Sequence, residues 1–241
     1  MDKKCILVIA AALCTSGPRF VSGVMSSVLE EAWNEATSDL PKEVTDDWWT
    51  KILEKYSEDG RSYHNIQHLE EKFEEFKTVK HILKNVNAVT LAIFFHHYEY
   101  DPKEVDCEEK NSGHFNKFAD QSGIPNESPL RSAVVDLLCA AATHSTDAHK
   151  TDGMYGSEDL HFFLDIDMAV LGSSPEQYSD YTAKVQKEYT FLPETMYRSL
   201  RLKVLQSFLQ IPNIFASKEF REKFETKARA NIQKEVDSLK H

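Results

Sequence analysis

Leu160 to Leu171 reads LHFFLDIDMAVL, and this stretch decides the fold class. At about 100° per residue, Leu160, Phe163, Leu164, Val170 and Leu171 fall on one face of a helix. Asp167 falls in the middle of that face, whereas Asp165 points to the opposite side. A carboxylate within an apolar stripe is costly unless it is paired or bound to metal. Taken alone, the helix admits both a metal ligand and a structural Asp that pairs with Arg or caps another helix.

The same periodicity extends outward in both directions. Ser26 to Glu35 suits an amphipathic helix, and Trp48, Trp49, Ile52, Leu53 and Tyr56 mark a second. Ser57-Glu58-Asp59-Gly60 breaks it, and Ile66, Leu69, Phe73 and Phe76 mark a third. Ala88 to Phe95 is nearly all apolar and reads as a buried helix. Ser112 to Ala119 and Leu130 to Thr143 read as two more, followed by a His- and Asp-rich loop from Ser145 to Ser157. Beyond Leu171, the spans Tyr178 to Tyr189, Thr195 to Leu209 and Glu219 to Leu239 complete the series, punctuated by Pro193 and Pro212. No two-residue alternation of useful length is present, and only 8 Gly and 8 Pro occur in 241 residues. The expectation is an all-α fold, one compact helical bundle over residues 26–241.

Composition narrows the function. Hydrophobic residues make up 41% and charged residues 28%, an ordinary globular balance. The net charge of −11 and the lack of a Lys/Arg block disfavour nucleic-acid or anionic-membrane partners, but not a small phosphate substrate. Cys5, Cys14, Cys107 and Cys139 form no C-x-x-C pair, so no zinc ribbon or redox motif is visible. Residues 1–25 stand apart: a basic start, an apolar run from Cys5 to Cys14, then small residues. They read as a signal peptide, a start-site extension or a loosely attached helix, and are expected to pack little against the domain. The first reading implies secretion, and the others are compatible with a cytoplasmic protein.

Two further stretches carry imidazoles. Phe94-Phe95-His96-His97-Tyr98 ends the most apolar helix, and His96 continues its stripe of Val89, Ala92 and Ile93. In Tyr63-His64-Asn65-Ile66-Gln67-His68, the two histidines are four apart, which places them on one face if that segment is helical. Neither stretch is specific alone. Together with Asp167 they supply imidazole and carboxylate from distant segments, as a metal site between helices requires.

The order H…H-D…D defines the HD superfamily of metal-dependent phosphohydrolases. The chain resembles its subgroup with Tyr-His-Asn-x-x-His, Phe-His-Asp-x-x-Tyr-Asp and Leu-Asp-x-Asp-Leu-x-x-Leu-Gly, here at Tyr63 to His68, Phe95 to Asp101 and Leu164 to Gly172. The likeness also takes in Asp106-Cys107-Glu108-Glu109, Tyr178, Tyr181, Glu188-Tyr189, Arg201 and Ala228-Arg229-Ala230-Asn231. The resemblance implies a metal-dependent phosphohydrolase acting on a nucleotide or other small phosphate ester. His-Asn-x-x-His is also similar to the signature of cyclic-nucleotide phosphodiesterases. Carried over, His68, His96 and Asp167 are metal ligands and His64 is a general acid. Asn65 and Asp165 stand behind them as supporting residues.

His97 departs from the pattern, because it takes the place of the Asp in the name-giving pair. An imidazole still ligates one ion but bridges two poorly. The change favours nitrogen-loving zinc, copper or iron over magnesium, and the ion expected is zinc, iron or manganese. Gln186 and Ile211 stand where relatives often carry Arg, which reduces the charge available to phosphate. Arg61, Lys187 and Arg201 are candidates to balance it, against the alternative of a solvated or ion-paired surface. His144 and His149 either line the pocket or belong to a polar loop. The competing function is a pseudoenzyme, an impaired helical module that binds metal or ligand without turnover.

Overall fold

The structure, a computed structural model, describes residues 27–104, 106–143 and 145–240. The N-terminal segment and His144 lie outside the described residues. The chain is all-α: eleven α-helices and two short 3-10 turns follow one another, with no strand among the described residues. The helices are α1 (Ser27–Ala36), α2 (Lys42–Tyr56), α3 (Ile66–Val79), α4 (Val86–His96), α5 (Cys107–Gln121), α6 (Pro129–Ala141), α7 (Asp147–Lys150), α8 (Asp159–Met168), α9 (Pro175–Glu188), α10 (Glu194–Gln210) and α11 (Lys218–Leu239). None is long and apolar enough to cross a membrane.

Helix α4 is the axis of the fold. Every residue from Ala88 to His96 is buried, so the helix has no solvent face and must be surrounded. Helices α1, α5, α6 and α8 pack around it. Its start is pinned twice. Asn85 caps it by accepting from Ala88 N, and the Asp159 carboxylate at the start of α8 accepts from Lys84 N (2.8 Å) and Asn85 N (2.7 Å). On its α1–α2 side, aromatic rings fill the core. Trp33 meets Phe94 edge-on at 5.3 Å, and Trp48 lies against Phe95 at 5.6 Å and Phe118 at 5.8 Å.

Two sequence expectations need correction. Leu160 to Leu171 is not one helix, because α8 ends at Met168 and a 3-10 turn, Ala169–Gly172, completes it. Nor does α8 have a single packed face. Asp165 is fully buried beside Phe163, Leu164 and Ile166, because partners cover the helix on more than one side and the wheel argument presumes one. Within the expected loop, Asp147 to Lys150 forms a short helix, with His149 Nδ1 accepting from Thr146 N at 3.0 Å.

The 3-10 turn lies against α11 without a gap. A Cβ at Gly172 would come within 2.5 Å of Phe224 Cβ and 2.9 Å of Phe224 Cα. Asn231 on α11 donates to Leu171 O at 2.9 Å and Ser173 O at 3.0 Å, which fixes the same contact. Because the obstruction includes backbone, Gly172→Ala should force the two elements apart. The expected loss is about 1–3 kcal/mol of stability, as for overpacking generally, read as a lower midpoint in urea unfolding.

Candidate metal centre

The site is built where three helix ends meet, and each end is held by a different device. At the start of α3, Asn65 is the N-cap: its side chain accepts from Gln67 N (3.0 Å) and His68 N (3.3 Å), while its amide donates to Ser62 O (3.1 Å). Asn65 therefore sets where His68 begins the helix. His64 precedes the cap, so the two histidines do not share a helical face as the four-residue spacing suggested.

The end of α4 is the second device. Its last carbonyls lack intrahelical partners and lie in the core, so side chains must supply donors. Arg61 donates to His97 O and, at 2.7 Å, to Tyr98 O. Asn111 donates to His96 O at 2.6 Å, and Tyr56 OH donates to Phe94 O at 3.1 Å. These bonds fix His96 and His97, whose rings stack at 4.0 Å. Arg61 is thus spent on backbone. The third device is Asp165, which accepts from Ala216 N (2.7 Å), Ser217 N (2.7 Å) and Ser217 Oγ (2.6 Å). It ties α8 to the start of α11 and holds Asp167, two residues on. Burial pushes the Asp165 carboxyl up to about 7, against the pull of those donors.

His68, His97 and Asp167 bring one donor atom each within 4.8 Å of one another, and this buried group can hold a metal ion. Asp167 Oδ1 lies 3.8 Å from His68 Nε2 and 3.6 Å from His96 Nδ1, the spacing of two donors sharing an ion about 2.1 Å away. His68 Nδ1 and Asp167 Oδ1 are buried and make no well-directed hydrogen bond. Two imidazoles and a carboxylate, with His96 adjacent, therefore fit a divalent ion by the chemistry of the donor set.

A fifth group, absent from the sequence reading, sits among them. Lys72, one turn beyond His68, is 2% exposed. Its Nζ lies 2.6 Å from Asp167 Oδ1, 3.0 Å from His97 Nδ1 and 3.5 Å from His96 Nδ1. Burial lowers the Lys72 ammonium from its usual value, against the pull of Asp167. Burial likewise, then Lys72 and His96, depress His97 well below the ordinary imidazole range. For Asp167, burial pushes upward, but Lys72, His96 and His68 outweigh it and hold the carboxyl well below the usual range.

The second residue to which the sequence reading gave no role is Glu188, at the end of α9 and part of the Glu188-Tyr189 stretch in the family likeness. Its Oε1 accepts from Tyr63 N (2.7 Å) and His64 N (2.9 Å), and its Oε2 meets His64 Nδ1 (2.7 Å) and Tyr100 OH (2.9 Å). The Tyr100 ring stacks on His64 at 4.0 Å, and the His64 ring lies 4.6 Å from that of His97. Burial lowers the His64 imidazole and Glu188 opposes it. The residue proposed to carry a proton thus stands beside the ligand group, oriented by a buried carboxylate. An open cleft of about 550 Å³ reaches Glu188, Tyr100 and Arg61.

The other sequence candidates lie farther out. Lys187 is exposed on α9. Arg201 pairs with Glu235 at 2.8 Å and with Tyr181 OH at 3.2 Å, and the Tyr181 ring packs on Tyr63 at 4.8 Å, one residue removed from His68. Lys72 and Glu188 obeyed the rule that singled out Asp167. Lys72 shares a helical face with Leu69 and Phe76, and Glu188 with Tyr178, Tyr181 and Val185.

Comparison with family models, curated proteins and solved structures gives no match. The site therefore stands on its own geometry.

Glu188 is the hub of four hydrogen bonds, two of them to backbone N–H. Glu188→Ala should leave these donors without an acceptor. A cost of about 3 kcal/mol is expected from the unsatisfied groups, measured by chemical denaturation, together with loss of order at His64 in NMR spectra.

Proposed function

We propose that this protein is a metal-dependent phosphohydrolase acting on a small phosphate ester, of the HD type that its sequence resembles. The observation that carries the reading is the pairing of two units: the His68–His97–Asp167 group and, beside it, the His64–Glu188 dyad. The donor set, rich in nitrogen, suits zinc or iron better than magnesium or manganese.

A bound divalent ion supplies Lewis acidity and an acidified water at neutral pH. The protein supplies the rest. His68, His97 and Asp167 would hold the ion, with His96 stacked behind His97. With Glu188 accepting from His64 Nδ1–H, the imidazole in its doubly protonated form carries a second N–H at Nε2, the proton it would deliver to the leaving oxygen, and Glu188 favours that form. Tyr100 braces both members of the dyad.

The cleft bears on substrate. Glu58, Asp59, Glu99, Asp101, Glu104 and Glu188 line it, against Arg61, Lys103 and Lys110. Six carboxylates facing three cations disfavour a polyphosphate, so a monoester or cyclic phosphodiester of low charge fits better. One observation favours the pseudoenzyme reading: Lys72 stands among the ligands, and His97 replaces a bridging carboxylate. In that case the cleft binds its phosphate compound without cleaving it.

A panel of phosphate esters assayed with added Zn²⁺, Mn²⁺ or Fe²⁺ separates the two. Phosphate release is expected, and His64→Ala should reduce kcat by about 10²–10⁴-fold, the usual worth of a positioned acid, with metal content unchanged. Silence across the panel, with an ester raising the melting temperature, would favour the binding module.

A further inference from the structure

Lys72 is the strongest unexplained feature of the molecule. Lysine is among the residues least often buried, because its ammonium loses hydration and its long arm loses freedom. Here the arm is buried and the Nζ has acceptors of both kinds, carboxylate and imidazole. Asp167 Oδ1, His97 Nδ1 and His96 Nδ1 surround it at 2.6, 3.0 and 3.5 Å. An ammonium offers three N–H donors and no acceptor, so three neighbouring acceptors form a matching seat. Two of the three belong to the group that can hold a metal ion.

We infer that the ammonium of Lys72 and a divalent metal ion compete for one seat, so that the site holds one cation at a time and Lys72 sets its metal affinity. The inference rests on the metal reading of the site but not on catalysis. Three features of the structure support it. The Nζ stands within hydrogen-bond distance of Asp167 and His97, the donors an ion would need, so the two cations cannot occupy the seat together without strong mutual repulsion in a poorly hydrated interior. The lysine is on the same helix as His68, one turn later, so no rearrangement of helices is needed to bring it in or out. The carboxylate that anchors it, Asp167, lies two residues from Asp165, which ties α8 to the segment before α11.

The exchange has a structural requirement. For an ion to enter, the lysine arm must swing out of the seat. Because neighbouring Glu71 is exposed and lies 4.0 Å from His68 Nδ1, an outward-turned ammonium finds a carboxylate close to the site.

The test compares the full-length protein with Lys72→Met, which keeps the arm's bulk and removes its charge. Metal affinity is measured by calorimetric titration with Zn²⁺ and with Mn²⁺, and retained metal by elemental analysis after dialysis against a chelator. The methionine variant should bind at least about 100-fold more tightly, as removal of a cation from beside the ion demands. Its melting temperature should rise steeply with added metal, while that of the wild type moves little. Should Lys72→Met fail to fold without metal, Lys72→Gln keeps a polar group facing Asp167 and takes its place, and refolding of Lys72→Met by metal would itself support the inference. Equal affinities in wild type and variant, weaker binding in the variant, or no binding in either would overturn it. Phosphate release is scored separately: tight binding by the variant with no turnover leaves the competition standing and removes only the hydrolase reading.

Discussion

The exposed carbonyls at the end of a wholly buried helix are the constraint on which this structure turns. Helix α4 has no face toward water, so its final peptide groups must find donors inside the protein or not be buried at all. Arg61, Asn111 and Tyr56 come from three separate segments to supply them. Meeting that need brings the α2–α3 turn, α5 and α2 to one place. The histidine pair rides on the same few residues, so the solution to a backbone problem also fixes the side chains that face Asp167.

How much of this could be read from the chain depended on which rule was applied where. Most helices followed from the spacing of apolar residues, because one face of each packs inward, whereas α5 starts five residues earlier than expected and α7 lies in the expected loop. Asp167 was legible because a charge in an apolar stripe is conspicuous. Lys72 and Glu188 met the same criterion on α3 and α9, yet Lys72 passed unnoticed and Glu188 was named only as part of a motif, since long charged side chains on mixed helices usually reach solvent. Asp165 misled the reading for the opposite reason. A wheel assigns one inward face, whereas α8 is enclosed, and its second carboxylate caps α11 instead of pointing to water. Arg61 looked like a phosphate ligand because sequence shows its charge but not the carbonyls that consume it.

The two aspartates of α8 divide the labour of one short helix. Asp165 is satisfied by three donors from a single stretch, Ala216–Ser217, a static arrangement with no remaining demand. Asp167 Oδ1 faces the Lys72 ammonium as an ion pair without a well-directed hydrogen bond, an arrangement that invites exchange. Residues two apart in sequence thus behave as anchor and as exchangeable contact. The geometry of the anchor is what permits the contact to be polar in a buried setting.

The Glu188 hub has a consequence for the order in which the protein assembles. It joins α9 to the Tyr63–His64 backbone across 124 residues of chain, and Asp165 reaches Ser217 across 52. Contacts of such separation close large loops, whose entropy is lost before the contacts repay it. The aromatic packing of Trp33 and Trp48 on Phe94 and Phe95 closes loops about half as long as that of the Glu188 hub. The functional centre is therefore among the last parts of the molecule to mature. Damage to it speeds unfolding more than it slows folding, and a chain with a spoiled site still collapses around an intact aromatic core.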